Sequence, residues 1–282
     1  MLDDVGLVLE GGGMRGVYTA GVLEFFLENE VFFPYVIGVS AGASNAASYL
    51  SKQKGRNHTV NIEYITDHRY ISWRNFFKKR QFFGMDFIFD ELPNRLAPYD
   101  YEAFYNNPTE FVVGTTDCHT GEPVYFTKNE YGQEVNTVLK ASCSLPFIAQ
   151  EINFKDKVLL DGGISDPIPI KKAQKDGFKR NIVILTRNQG YQKKPSRFNF
   201  LVNRKYPQYQ GLQLALKDRY RKYNETISYL EGEARRGNAM IIRPTEPIEV
   251  GRMERNPDKL EKLFYSGYED AKQSIKRISD WI

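Results

Sequence analysis

The chain has 282 residues, 26% of them charged, with a formal net charge of +4 and an aromatic set of 19 Phe, 18 Tyr and 2 Trp. That length can bury a substantial core, and this charge fraction with so many aromatics excludes a disordered chain. The modest positive charge argues against a nucleic-acid binder, no apolar run approaches the ~18 residues of a spanning helix, and the two cysteines, Cys118 and Cys143, make neither a disulfide framework nor a metal site. The acidic start Met1-Leu2-Asp3-Asp4 lacks the basic opening of a secretory signal, so a cytoplasmic chain is expected.

Residues 5–9 form an apolar strand, followed by Glu10 and the loop Gly11-Gly12-Gly13-Met14-Arg15-Gly16. Val17, Ala20, Val22, Leu23 and Phe26 then suit one face of a helix. A second strand, Tyr35-Val36-Ile37, runs into Gly38-Val39-Ser40-Ala41-Gly42, and a helix follows over residues 41–50. This order of strand, loop, helix, strand, turn and helix belongs to a parallel sheet covered by helices. Residues 51–108 hold polar turns and a dense aromatic and basic stretch, and read as a lid-like insertion. Further strands are predicted over 111–115, 123–127, 158–160 (ending at Asp161-Gly162-Gly163) and 181–186. Gln192-Lys193-Lys194-Pro195-Ser196-Arg197 is a basic loop, and Leu212, Leu216, Tyr220, Tyr223, Ile227 and Leu230 mark one face of a long helix. Asn256-Pro257 reads as the cap and first-turn proline of a last helix that turns Leu260, Leu263, Phe264, Tyr268, Ala271, Ile275 and Ile278 inward. The expected architecture is α/β, with a core over residues 1–190 and a helical extension over 191–282 packed on it. The sequence carries no internal repeat.

Ser40 closes a strand with Gly38 and Gly42 two residues to either side. This is the pattern of a nucleophile elbow, a reversal so sharp that flanking side chains would collide. The N–H of Ala41, at a helix start, can point at the same spot. A serine held this way is most simply explained by acyl transfer, the bland alternative being a chance pattern in a turn. The glycine loop fits G-x-G-x-x-G and so also suits a dinucleotide. Against that, the second strand ends in Gly38-Val39-Ser40 and not in an acid for the ribose, and Glu10 sits where a pyrophosphate would lie. The other use of such a loop is an oxyanion hole, in which successive N–H groups converge on one oxygen.

A serine nucleophile needs a base. The three histidines, His58, His68 and His119, lie in polar turns or loops, and none follows His119, where a Ser…Asp…His order would require one. Either a histidine serves in another order or the base is a carboxylate. Asp161 is the best carboxylate candidate, at the end of an apolar strand and before two glycines, although the same residues also read as an ordinary turn. An aspartate base would need partial desolvation.

Taken together, Gly11-Gly12-Gly13-Met14-Arg15-Gly16, Gly38-Val39-Ser40-Ala41-Gly42 and Asp161-Gly162-Gly163 resemble the three signature blocks of the patatin-like phospholipase family, in family order. Ala141-Ser142-Cys143-Ser144-Leu145-Pro146-Phe147 resembles the block ahead of the aspartate, and Asp166-Pro167-Ile168-Pro169 the segment after it. The similarity runs over roughly residues 5–190, and the C-terminal part resembles the extension of a bacterial subgroup. The resemblance implies a three-layer α/β/α fold and hydrolysis of lipid acyl esters by a Ser–Asp dyad, without histidine, metal or cofactor. Ser40 would be the nucleophile, Asp161 the base, and the glycine loop with Arg15 the oxyanion hole. A non-catalytic lipid-binding or regulatory protein that keeps the fold is the alternative function, ahead of a nucleotide-binding oxidoreductase.

Residues 69–89 interleave Trp73, Phe76, Phe77, Phe82, Phe83, Phe87 and Phe89 with Arg69, Arg74, Lys78, Lys79 and Arg80. Such a stretch could adsorb to an anionic lipid surface as a peripheral membrane contact. The preferred reading is a lid whose rings pack on the core or line an acyl pocket, because aromatics this numerous usually find a core.

Overall fold

Successive side chains of a strand point to opposite faces, so a strand covered on both sides must be apolar at consecutive positions. β1 (Val5–Leu9), β2 (Tyr35–Val39), β3 (Glu110–Asp117) and β7 (Arg180–Ile184) meet that demand. The computed structural model describes residue 2, residues 4–197 and residues 199–281. In it Leu7, Leu9, Val36, Phe111, Val113, Ile182 and Ile184 enter one core, while Val8, Ile37, Val112 and Val183 enter another. The first core is closed by α1 (Val17–Glu28), α2 (Ala41–Leu50) and the C-terminal helix Pro257–Trp281. The second is closed by the helices Ile170–Lys175 and Gln210–Arg235. The expected α/β/α layering follows from these two faces.

The sheet has eight strands and is mostly parallel. β8 (Ala239–Ile242), β7, β1, β2 and β3 run parallel, in that spatial order. β4 (Pro123–Phe126) and β6 (Lys157–Asp161) are antiparallel to β3, and β5 (Ile152–Phe154) is antiparallel to β6. The registers on β3 place the site. β4 lies opposite both Gly114 and Thr115, and so occupies one edge of β3 at that level. On the other edge Val39 of β2 lies opposite Gly114, and Asp161 of β6 lies opposite Thr115. The C-terminal ends of β2 and β6 therefore meet head to head at consecutive positions of one strand edge.

Two strands were not foreseen. β5 and β8 span three and four residues, and Ala239-Met240-Ile241-Ile242 follows a long helix so closely that no period marks it. Residues 191–282 thus contribute an edge strand to the sheet as well as helices. The predicted last cap is present, with Asn256 Oδ1 accepting from the N–H groups of Asp258 (2.9 Å) and Lys259 (3.2 Å). The segment after α2 is built of short helical turns, among them the helix Trp73–Lys79 and the π-helical stretch Phe87–Leu96. Among the described residues, no helix is long and apolar enough to cross a membrane.

α1 and the C-terminal helix approach each other backbone to backbone. A Cβ on Gly21 would meet the carbonyl oxygen of Phe264, and one on Gly267 that of Tyr18. The buried Tyr18 hydroxyl donates to Asp270 Oδ2 (2.9 Å) across the same contact. A side chain at Gly21 would gain up to ~1 kcal/mol in helix propensity, but wedging packed helices apart costs ~1–3 kcal/mol. A bulky β-branched residue loses most of the propensity gain and adds to the clash. Gly21→Val is therefore expected to lower the unfolding free energy by ~2 kcal/mol in urea melts, and Gly251→Ala, in open space, to change it by less than ~0.5 kcal/mol. An unchanged midpoint for Gly21→Val would show that the two helices separate without cost.

Candidate active site

The turn between β2 and α2 holds Ser40 at φ 54° and ψ −131°, a conformation costing a non-glycine residue ~1–3 kcal/mol. Its neighbours explain how the chain reverses there. A Cβ on Gly38 would lie 2.8 Å from the Ala43 nitrogen, and one on Gly42 2.7 Å from the Glu10 carbonyl oxygen. The Ser40 N–H donates to Ser142 Oγ (2.8 Å), and that hydroxyl donates to the Gly114 carbonyl (2.6 Å). The strained turn is thereby tied to β3.

Asp161 ends β6 and is 1% exposed. Its Oδ1 accepts from the Gly163 N–H (2.8 Å) and lies 4.0 Å from Arg219 Nη2. Its Oδ2 is buried and has no hydrogen-bond partner. A buried carboxylate oxygen without a donor is costly in a finished core, so this atom is the one to examine for chemistry.

The glycine loop runs beside both residues. A Cβ on Gly11 would lie 2.8 Å from Ser40 Cβ, and Gly13 has φ +59° with its α-carbon facing the Arg252 carbonyl. The Met14 N–H donates to that carbonyl (3.1 Å). The N–H groups of Gly12, Gly13 and Ala41 donate to no acceptor among the described residues. Gly16 closes the loop as the last residue of a 3-10 turn and touches the start of α2. Arg15 is buried with its Nε unpartnered, and burial beside Arg187 and Arg252 pushes its guanidinium down to about 10.

Ser40 lines two cavities. One, of about 770 Å³, has walls from Met14, Tyr70, Phe83, Met85, Ile88 and Phe89, and shares Leu145 with the other. The other, of about 430 Å³, contains Asp161, Glu10, Arg15, Arg187, Lys193, Arg219 and Arg252. The aromatic stretch divides accordingly. Phe82 and Phe87 are buried, Phe83 and Phe89 wall the apolar cavity, and Trp73 and Phe77 stand 64% and 80% exposed among Arg74, Lys78, Lys79 and Arg80.

No histidine lines either cavity. His58 sits between Glu63 and Glu261 at 3.5 Å each, His68 beside Asp67, and His119 against the Tyr209 ring. Cys143, which touches the apolar cavity, has its thiol pushed up to about 12 by burial. Sequence reasoning passed over Ser142's role, the cations Lys193, Arg219 and Arg252, and Tyr223's place at the site. For Arg219 a signal existed. It falls three residues after Leu216 and four before Tyr223, an inward position in which Tyr220 was expected.

The patatin-like phospholipase family model matches residues 7–173, and a domain of unknown function, DUF6363, matches residues 209–282. Uncharacterized protein YjjU of Escherichia coli (strain K12) is 30% identical over 187 residues, covering 64% of this chain and 52% of that protein. Lysophospholipase NTE1 of Meyerozyma guilliermondii is 26% identical over 196 residues, 64% of this chain and 12% of that protein. The chain thus spans about half, or much less, of the curated relatives it matches. The crystal structure of VipD from Legionella pneumophila superposes with a TM-score of 0.56 over 95% of this chain and 66% of that one, at 13% identity, a likeness of fold.

Ser142→Ala would leave the Ser40 N–H and one lone pair of the Gly114 carbonyl unpaired in a buried place. The expected loss of unfolding free energy is ~2 kcal/mol in denaturant melts. A loss below ~0.5 kcal/mol would show that the turn does not depend on this hydroxyl.

Proposed function

We propose that this chain, which belongs to the patatin-like phospholipase family, is a serine acyl-ester hydrolase of lipids that works with Ser40 and Asp161 and without a histidine. The observation that carries the reading is the meeting of β2 and β6 on one edge of β3. It brings a serine in a strained turn and an aspartate with a buried, unpartnered oxygen to the same cavity.

In this reading Ser40 Oγ attacks the ester carbonyl carbon, and its proton passes to Asp161 Oδ2. The carbonyl oxygen becomes an oxyanion facing the N–H groups of Gly12, Gly13 and Ala41, donors worth ~3 kcal/mol each in such a role. Collapse of the intermediate breaks the bond to the alcohol, which leaves with the proton held by Asp161. Water then attacks the acyl-serine, giving its proton to Asp161. The second collapse releases the fatty acid and returns the proton to Ser40. The apolar cavity is suited to the acyl chain, with Phe83 and Phe89 along its wall. Exposed Trp73 and Phe77, with the cations around them, suit contact with an anionic lipid surface. Two unpaired thiols fit a reducing compartment, so the enzyme is read as cytoplasmic. We assign the core to residues 1–190 and treat residues 191–282 as its covering extension.

A fluorophosphonate probe tests the reading. Stoichiometric labelling is expected at Ser40, none in Ser40→Ala, and labelling at least ~100-fold slower in Asp161→Asn. Hydrolysis of a short-chain p-nitrophenyl ester should fall in parallel. Near-parental turnover in either variant would sink the dyad. A folded protein that stays unlabelled with and without lipid would overturn the hydrolase reading in favour of a non-catalytic protein.

A further inference from the structure

The polar cavity beside Ser40 holds more positive charge than its own carboxylates answer. Arg15, Arg187, Lys193, Arg219 and Arg252 line it, against Glu10 and Asp161. Glu10 is already engaged, its Oε2 accepting from the Thr186 N–H (2.6 Å) and hydroxyl (3.1 Å). Arg219 is committed on one side, with Nε donating to the Gly163 carbonyl (2.6 Å). Among the described residues, none of Arg15, Arg187, Lys193 and Arg252 has a carboxylate oxygen within ion-pair distance. Two of them are held over aromatic faces instead, Arg187 over Tyr191 (4.2 Å) and Lys193 over Tyr223 (4.4 Å). Those rings orient a cation without neutralising it. Arg15, 5% exposed, keeps an unpartnered Nε. Burial, and after it the neighbouring guanidinium groups, hold the Lys193 amine well below the ordinary lysine range.

We propose that this cavity is a binding site for a phosphomonoester, and that the preferred substrate is an acyl ester with a phosphate group a few bonds from the ester carbonyl. A phosphomonoester brings about −1.5 to −2 charge and three acceptor oxygens, which suits several cations with guanidinium forks among them. A choline head group would bring a further cation into a space already short of negative charge. Position argues the same way. Ser40 lines both cavities, so an ester at Ser40 has its acyl chain on the apolar side and its alcohol on the cationic side. Arg219, Tyr223 and Arg252 all lie within residues 209–282, so the C-terminal part supplies much of this wall. The substrate assignment rests on the hydrolase reading above. The anion site itself does not.

The test has two arms, both on the full chain. In calorimetry at low salt, glycerol 3-phosphate and inorganic phosphate are titrated beside glycerol and choline chloride. Saturable binding of the phosphomonoester is expected, with Lys193→Gln and Arg252→Gln each weakening it at least ~10-fold. Both side chains are only half-buried, and unchanged urea midpoints establish that the variants fold. In the second arm kcat/KM is compared for three micellar substrates of one acyl length: a monoacylglycerol phosphate, its phosphocholine counterpart and the neutral monoacylglycerol. The phosphomonoester is expected to lead by at least ~10-fold, and that ratio to collapse towards one when both cations are replaced. No phosphate binding, or binding indifferent to both substitutions, overturns the site whatever the enzyme hydrolyses. Phosphate binding with no substrate preference overturns the lipid assignment and leaves a site for soluble phosphate. If no ester is cleaved and Ser40 is unlabelled, the hydrolase reading and the substrate assignment fall together, while calorimetry still decides the site.

Discussion

One edge of β3 is shared by two strands running in opposite directions, and the site depends on that sharing. β2 stops at Val39 opposite Gly114, and β6 arrives from the other end and stops at Asp161 opposite Thr115. Neither strand can be extended without running into the other, so both chains must leave the sheet at this point. β2 leaves by the reversal at Ser40 and β6 by the turn at Gly162, whose missing side chain spares the Gly114 carbonyl. Two residues distant in sequence are thus aligned by backbone hydrogen bonds. Sheet registers are set by many bonds at once, whereas a loop contact rests on a few, so the alignment is as rigid as the core behind it.

The local costs at this junction are carried by what surrounds it. A positive φ at Ser40, a carboxylate oxygen without a donor and a set of crowded cations each subtract from stability. Against them stand two apolar cores, one on each face of the sheet, and the close crossing of α1 with the C-terminal helix. The residues from 209 onward serve both purposes. Helix Gln210–Arg235 closes one face with Leu230 and Tyr223, and places Arg219 against the Gly163 carbonyl. The loop before the last helix lends the Arg252 carbonyl to the Met14 N–H, pinning the glycine loop. A single stretch of chain therefore holds the glycine loop in place and adds charge to the cavity beneath it.

What could be read in the sequence was local. Glycines two residues either side of Ser40, a glycine run after β1 and the apolar approach to Asp161 each leave a mark within a few residues, because close backbone approach excludes side chains there. The consecutive apolar positions that give two buried faces are likewise written into β1, β2, β3 and β7. The lysine and arginines of the polar cavity left no such mark. Lys193 looked like one more cation of a solvated basic loop, and Arg252 stands in a stretch without period. Their importance comes from which surfaces meet, and that is decided by the sheet order and by β8, a strand of only four residues. Arg219 is the intermediate case. Its spacing from Leu216 and Tyr223 puts it inward, and a charged residue at an inward helical position is a sign of a buried partner or a site. The aromatic stretch 69–89 differs in exposure along its length because a short helix, capped by Ser72, turns Trp73 and Phe77 outward while Phe83 and Phe89 line the apolar cavity.

The two cavities that meet at Ser40 differ in what they can hold, and the difference follows from the layers that line them. The apolar one is walled by α2 and the segment after it, where Tyr70, Met85 and Ile88 are apolar and the guanidinium of Arg56 is taken up by the Ala97 carbonyl and Ser48 Oγ. The polar one takes Arg187 and Lys193 from the chain after β7 and Arg219 and Arg252 from the C-terminal residues. A molecule that spans both must be amphiphilic, with its junction between apolar and charged parts at the serine hydroxyl. In an acylated glycerol phosphate that junction is the ester. The chemistry proposed for Ser40 and the asymmetry of its surroundings thus point to the same bond.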